Sequence, residues 1–274
     1  MFDFLHYAFM QRAFLAGTIV AFLCPTIGIY LVLRRLSMVG NMFSHVSLAG
    51  VALGIFTGTY PLGAALALSV ASAVILEALR RTYRIFSDLA IAILISAGIS
   101  LAVILISLSR ALNTDLFSYL FGSVIAISEQ DLYLIAVVGL FVMLLVFVLQ
   151  KELFYIAFDE AGARAAGIRV DLVNMLFVLA ASLTIAVAMR VVGALLVSSL
   201  LTVPVAAALQ FGKSFRTTLF WSYLLALTSV FSGLMVAYYC NLAPGGSIVM
   251  CSLIIFVLSI IWGRRSGRKQ DVGT

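Results

Sequence analysis

The stretch that decides the fold runs from Arg34 to Gly54 and reads RRLSMVGNMFSHVSLAGVALG. Two arginines lead directly into an apolar segment close to the ~20 residues that a helix needs to cross a bilayer core. This segment carries His45 in its interior. Because polar residues inside a membrane span are costly, a histidine at this place indicates a functional site by default.

The composition of the whole chain agrees with a membrane environment. Of the 274 residues, 64% are hydrophobic and only 10% are charged, whereas a soluble domain has about 25% charged residues. Long apolar runs follow one another without the alternation that is typical of barrel strands. We therefore predict an all-α polytopic membrane protein with about nine spans. The predicted spans are 13–33, 38–57, 61–79, 88–108, 130–150, 172–189, 192–210, 218–239 and 247–262.

Two ranges, 114–128 and 190–210, leave the number of spans open between eight and ten, because either could be re-entrant or broken. In the second range three hydroxyl residues precede Pro204, and they could satisfy backbone groups freed by a kink. A plain kinked helix and a functional break both remain open here. We expect one transmembrane domain over 1–274, with a surface segment at 1–12, a cytoplasmic loop at 152–170 and a cytoplasmic tail at 264–274.

The basic residues predict the orientation of the chain. If the carboxyl terminus is cytoplasmic, every lysine and arginine except Arg12, Arg110 and Arg190 falls in a cytoplasmic segment, as the positive-inside rule requires. An odd number of spans would then place the amino terminus outside. The net charge of +6 is accordingly a signal of topology, and it does not indicate a nucleic-acid partner.

Enzymatic signatures are weak in this chain. The sequence Gly212-Lys213-Ser214 resembles the end of a phosphate-binding loop, but Ala207 stands in place of the first glycine and a membrane span precedes it. The three cysteines show no C-x-x-C spacing. Two histidines cannot form a three-histidine hydrolytic metal site. We expect no catalytic residues, no permanently bound cofactor, and ATP hydrolysis, if it drives the process, on another polypeptide.

Helical geometry separates two faces of the span at 38–57. Asn41 and His45, at positions i and i+4, lie on one stripe, so an amide oxygen and an imidazole nitrogen could contact one ion. Gly50, Gly54 and Gly58 lie roughly opposite and form two overlapping G-x-x-x-G units, which predict close packing against another helix. A histidine that is hydrogen-bonded between helices is the alternative reading of His45.

The loop at 152–170 contains a short alanine-rich helix. It begins after Asp159 and Glu160 and ends at Gly167, an arrangement that matches ordinary helix capping. By itself this pattern is also compatible with a simple surface helix that joins two spans.

Three motifs together resemble the permease family of bacterial zinc, manganese and iron ABC importers, the ABC-3 type. These are the run from Arg34 to Gly54, the stretch TDLFSYLFGSV at 114–124, and the stretch from Val192 through Pro204 to Ala208. The resemblance covers about residues 10 to 262. It implies the fold of a type II ABC importer permease in the bacterial cytoplasmic membrane.

The resemblance also assigns roles to individual residues. The family motif G-D-x-x-S-H maps its metal-contacting histidine onto His45, but Asn41 stands where the family has aspartate. A coupling helix with an A-x-x-x-G core maps onto the 152–170 loop, where Asp159, Ala163 and Gly167 match. Glu160 lies in the same helix.

The implied partners are a second permease copy, two ATP-binding cassette ATPase subunits, an extracytoplasmic metal-binding protein and the lipid bilayer. The implied cargo is Zn²⁺, with Mn²⁺ or Fe²⁺ as further candidates. An alternative from another class is a secondary metal transporter or channel without an ATPase. That class predicts inverted repeats and titratable residues near the bilayer centre, and neither is evident in the sequence.

Overall fold

The computed structural model describes residues 7–82, 87–108, 113–123 and 126–267. All regular secondary structure in these ranges is helical. The helices are α1 (Ala8–Leu33), α2 (Met38–Thr57), α3 (Pro61–Thr82), α4 (Ser87–Leu108), α5 (Asn113–Phe121), α6 (Glu129–Phe158), α7 (Glu160–Ala165), α8 (Val170–Val192), α9 (Val197–Ala208), α10 (Phe215–Cys240) and α11 (Pro244–Gly267).

Within the described ranges, eight helices are long and apolar enough to cross a membrane. They are all the helices except α5, α7 and α9. This finding confirms the prediction of an all-α polytopic membrane protein. The predicted span at 38–57 has the bounds of α2, because Ser37 precedes the helix and Gly58, in a left-handed conformation, ends it.

The predicted span at 192–210 is wrong as a continuous helix. The chain breaks at Gly193, whose φ is +92°, and α9 has only 12 residues. At 1.5 Å per residue α9 is about 18 Å long, which is shorter than the ~30 Å bilayer core. Eight described helices are thus long enough to span and α9 is a shorter ninth segment, which agrees with the predicted range of eight to ten, and the 190–210 range is broken. The break lies at Gly193, whereas Pro204 is inside α9.

Three segment boundaries also differ from the predictions. Helix α1 begins at Ala8, so residues 8–12 of the expected surface segment belong to the first span, while residues 1–6 lie outside the described part. Helix α6 continues to Phe158, so the expected 152–170 loop includes the last two turns of α6. Of the predicted 264–274 tail, residues 264–267 continue α11, and the rest lies outside the described residues.

The described helices end in two opposite regions. One end, which we call the basic end, contains Arg34, α7 and the start of α10; here the Arg34 guanidinium lies 5.7 Å from the Phe177 ring and Phe154 packs edge-on against Phe215. The other end, which we call the Arg190 end, contains the starts of α1, α3, α6 and α11 with the end of α8. Arg12 binds Glu129 there, with 2.7 Å between Nη2 and Oε1.

Helix α8 lies at the centre of the bundle. It contacts α1, α2, α3 and α6 along its length, and nearly all its residues from Ala180 to Val192 are buried. A helix that is apolar on all sides is expected in such a central position. By contrast, α6 exposes large side chains such as Leu140 and Phe147, as a lipid-facing helix does.

Candidate functional site

The two ligand-type residues of α2 lie together on one partly exposed stripe. Asn41 and His45 are the partly exposed members of a stretch, 39–50, that is otherwise buried. In the part of the chain that the structure describes, neither side chain has a hydrogen-bond or ion-pair partner. The arrangement therefore does not match the alternative in which His45 is hydrogen-bonded between helices.

The neighbours of α2 fix the direction of this stripe. A Cβ added to Gly98 of α4 would lie 3.1 Å from the Val46 nitrogen and 3.2 Å from the His45 carbonyl carbon. A Cβ added to Gly40 would lie 3.3 Å from a methyl carbon of Leu201 in α9. Helices α4 and α9 thus pack closely against α2 beside Asn41 and His45, whose side chains remain partly exposed.

The glycine face of α2 contacts α3. A Cβ added to Gly50 would lie 2.5 Å from the Ala65 Cα, and one added to Gly54 would lie 2.8 Å from the Pro61 Cα. Such distances leave no room for a side chain, since the two backbones touch. Gly58 was predicted on the same packing face, and this is wrong: it follows the end of α2 with φ +68°, and nothing lies within 4 Å of an added Cβ.

The coupling-helix candidate forms α7 at the basic end. The Asp159 carboxylate caps it by accepting a 2.8 Å hydrogen bond from the Gly162 N–H. Glu160 pairs with Arg164 at 3.4 Å, and both side chains are about half exposed. Gly167 ends the segment with φ +84°, a backbone conformation that residues other than glycine rarely adopt.

Ala163 has a different position from the one expected for a docking contact. Its side chain is fully buried against the rest of this chain, because it faces inward from α7. Glu160, Arg164 and Gly167 are exposed and form the outer surface of the segment. Ala163 therefore joins α7 to the bundle, and the exposed residues are the ones available to a partner.

Arg34, which lies just before α2, interacts electrostatically with Glu160 of α7. Burial and the charge of Arg80 lower the pKa of Arg34, and Glu160 and Glu77 partly offset this. Arg34 immediately follows α1 and leads into the turn before α2. The basic end thus brings the helix that carries His45 near the exposed acidic residue of α7.

A second polar group was missed by sequence reasoning. Arg190 is 7% exposed and its Nε donates a 2.9 Å hydrogen bond to Oδ2 of Asp131, which is 1% exposed. From the sequence alone, Arg190 was only one of the three basic residues outside the cytoplasmic segments, and Asp131 was given no role. The sequence signal for this pair was an arginine inside an apolar run, three residues before a glycine. Its partner, however, lies 59 positions away.

The chemistry available on α2 suits a site of transient binding. Imidazole is a ligand for zinc, copper, iron and nickel, and an amide oxygen is a weak additional ligand. Among the described residues, no group of three or more His, Cys, Asp or Glu side chains could hold a metal ion. Two neutral ligands bind an ion loosely, so Asn41 and His45 fit a path that an ion enters and leaves.

The fold is that of a polytopic α-helical membrane protein, with eight helices of spanning length among the described residues. The comparison with family models makes the assignment specific. The chain belongs to the ABC 3 transport family, whose model matches residues 6–263.

Curated relatives match along nearly the full chain. A protein of Treponema pallidum named "Probable metal transport system membrane protein" is 37% identical over 256 residues, which cover 93% of this chain and 96% of the relative. The manganese import system permease protein ScaB of Streptococcus gordonii is 32% identical, with coverage of 92% and 90%. The high-affinity zinc uptake system membrane protein ZnuB of Haemophilus influenzae is 30% identical, with coverage of 90% and 95%.

Two solved structures share the fold. PsaBC from Streptococcus pneumoniae, in complex with Fab, superposes with a TM-score of 0.84 at 31% identity and covers 94% of this chain and 93% of the matched chain. An inward-facing metal-chelate type ABC transporter gives a TM-score of 0.76 at 16% identity, with coverage of 92% and 85%. Because its sequence identity is only 16%, the second similarity supports a shared fold alone.

Proposed function

We propose that this chain is the membrane-spanning permease of a bacterial ATP-driven importer of a divalent transition metal. The observation that carries the proposal is the pair Asn41 and His45 on one partly exposed stripe of a membrane helix, without partners among the described residues. Ligand-type residues inside a span are costly and are kept where an ion passes. The family membership and the names of the relatives agree with this reading.

Zinc is our first candidate for the cargo, followed by manganese and iron. The relatives divide between manganese and zinc in their names, so the choice rests on ligand chemistry. Manganese prefers carboxylate and other hard oxygen ligands, whereas imidazole suits zinc. Asn41 supplies no carboxylate beside His45, and this favours zinc over manganese.

The energy is supplied, in this proposal, by two separate ATPase subunits that dock on α7 of two permease copies. The exposed residues Glu160 and Gly167 would contact the ATPase, with Asp159 capping the helix and Ala163 anchoring it. Closure of the ATPases would move the helices between outward-open and inward-open arrangements as rigid bodies. The permease itself performs no catalysis.

The orientation follows from the basic end. Arg34, Arg35, Arg80, Arg164 and Lys213 lie near this end, and short cytoplasmic segments are enriched in such residues. We therefore place the basic end and the carboxyl terminus in the cytoplasm of a bacterial inner membrane. The Arg190 end would then face the extracytoplasmic metal-binding protein that delivers the ion.

The proposal is tested by uptake of radioactive zinc into proteoliposomes that contain the permease with its ATPase. We expect uptake only when ATP is supplied on the side of the membrane where the ATPase is bound. We also expect unlabelled zinc to compete more strongly than manganese or iron at the same concentration. Equal uptake without the ATPase would identify a secondary transporter or channel. Stronger competition by manganese would support the importer assignment but identify manganese as the cargo.

A further inference from the structure

The Arg190 end contains a buried cluster centred on a single guanidinium group. Arg190 binds the Asp131 carboxylate through Nε and donates through Nη2 to the Ala126 carbonyl. Its guanidinium carbon also lies 4.5 Å from the centre of the Tyr119 ring, within the range of a cation–π interaction. One side chain of α8 thus contacts α5, the segment after it and the start of α6.

The Asp131 carboxylate also accepts several hydrogen bonds. The Tyr60 hydroxyl donates to its Oδ1, and the Ser128 N–H donates to its Oδ2 at 3.0 Å. Burial and this hydrogen bond raise the pKa of Tyr60, so the hydroxyl remains a donor at physiological pH. We call Tyr60, Tyr119, Asp131 and Arg190 the clamp.

The clamp lies beside the break between α8 and α9. The Ala194 N–H donates to the Tyr119 carbonyl at 2.8 Å, and the Leu195 N–H donates to the Leu120 carbonyl at 3.3 Å. The end of α5 therefore satisfies backbone donors that the break leaves without a helical partner. In a membrane protein such groups need partners inside the protein, since lipid offers none.

Glycines allow the backbones to touch at this place. A Cβ added to Gly193 would lie 2.4 Å from the Leu120 oxygen, and one added to Gly122 would lie 2.6 Å from the Val191 oxygen. Gly245, at the start of α11, lies just as close to Val192 and Phe121. Separation of these segments would expose both the backbone groups and a buried charge pair, which is costly in a low-dielectric environment.

We propose that Arg190 is a positioning residue that fastens α5 to the break between α8 and α9, so that these elements remain joined throughout transport. The contact between Leu120 and Leu195 stays closed in every state. The changes that admit the ion therefore occur elsewhere in the bundle. The reference to transport rests on the proposed function, whereas the fastening itself does not.

The test uses a disulfide across the contact. Leu120→Cys and Leu195→Cys are introduced together after Cys24, Cys240 and Cys251 have been replaced by alanine. We expect rapid oxidative cross-linking, and zinc uptake by the cross-linked protein within about twofold of the reduced protein. Loss of uptake on cross-linking, with recovery after reduction, would show that the contact opens and would overturn the proposal.

The role of Arg190 is tested on the same cysteine pair by the rate of cross-linking, which needs no transport. We expect Arg190→Met to slow cross-linking at least about tenfold, and Arg190→Lys, which keeps the charge but loses the planar geometry, to give an intermediate rate. Tyr60→Phe, which removes one hydrogen bond, is the milder variant if Arg190→Met yields little folded protein.

The matched control is Arg12→Met at the same end of the bundle. Arg12 also pairs with an acidic residue of α6, but its partner Glu129 has an 81% exposed side chain. We expect cross-linking at the wild-type rate in this variant. Equal rates in the Arg12 and Arg190 variants would overturn the positioning role. Absence of zinc uptake by the wild-type protein, together with slower cross-linking in Arg190→Met, is a further outcome. That result would contradict zinc as the cargo and would support the positioning role of Arg190.

Discussion

The Asn41–His45 stripe and the Arg190–Asp131 pair are both polar features of an apolar bundle, but they differ in how they are satisfied. Arg190 and Asp131 are buried, and each has several partners. Asn41 and His45 are partly exposed and have no hydrogen-bond partner among the described residues. Satisfied charges fasten helices together, while ligand-type side chains without partners remain available for an ion. The comparison thus separates a structural polar cluster from a candidate transport site.

The largest effect is expected when the satisfied pair is broken. Arg190→Met leaves Asp131 as a buried charge without its cation, and the loss of one partner from a buried pair costs about 3–5 kcal/mol. Thermal unfolding of the purified protein in detergent should show a marked fall in stability. Arg12→Met breaks an exposed pair and should cost less than about 1 kcal/mol. Similar unfolding temperatures for the two variants would remove the distinction between the regions.

The two faces of α2 give the next test. Gly50→Val would place its Cβ against the Ala65 backbone, and overpacking of this kind costs about 1–3 kcal/mol. Thermal unfolding in detergent measures this loss. Gly246→Ala in α11 is the control, since nothing lies within 4 Å of a Cβ added there. If the Gly50 variant is as stable as the control, the close packing of α2 on α3 is wrong.

Much of this architecture could be predicted from hydropathy. The bounds of α2, and the start of α3 at Pro61, follow from apolar runs that end at small or turn-forming residues. A break within 190–210 could be anticipated, but its position at Gly193 could not, because a positive φ value leaves no mark on hydropathy. Gly58 was misassigned for a related reason: the G-x-x-x-G spacing continues past the residue where the helix ends.

The candidate site was predictable only in part. The i, i+4 spacing of Asn41 and His45 within one helix was sufficient to place both on one stripe. The Arg190–Asp131 pair joins residues 59 positions apart, and no local pattern encodes such a contact. The inward direction of Ala163 likewise depends on how α7 packs on the bundle, which its own six residues do not specify.

The role of α7 is tested by two glycines with the same backbone strain at opposite ends of the bundle. Gly167→Leu and Gly58→Leu both force a side chain into positive φ, at +84° and +68°, which costs roughly 1–2 kcal/mol. We expect only Gly167→Leu to lose copurification of the ATPase with tagged permease. Retention of the ATPase by this variant would contradict docking on α7.

The smallest effect concerns the strength of metal binding at the stripe. Asn41→Asp adds a negative charge beside His45 and should tighten zinc binding by about tenfold, which corresponds to about 1.4 kcal/mol. Isothermal titration of the purified variants with zinc measures the change, and Asn41→Ala should bind more weakly than the wild type. Equal affinities in all three proteins would place Asn41 outside the metal path.

The central claim is that the His45 stripe of α2 lies on the path of the ion, and uptake by His45→Ala tests it most directly. Radioactive zinc uptake is measured in proteoliposomes with the ATPase present, beside unfolding temperature and ATPase copurification. The account predicts that uptake is lost while stability and ATPase binding are unchanged, since the Gly50 face of α2 carries its packing on α3. Uptake by His45→Ala at the wild-type rate would contradict the account.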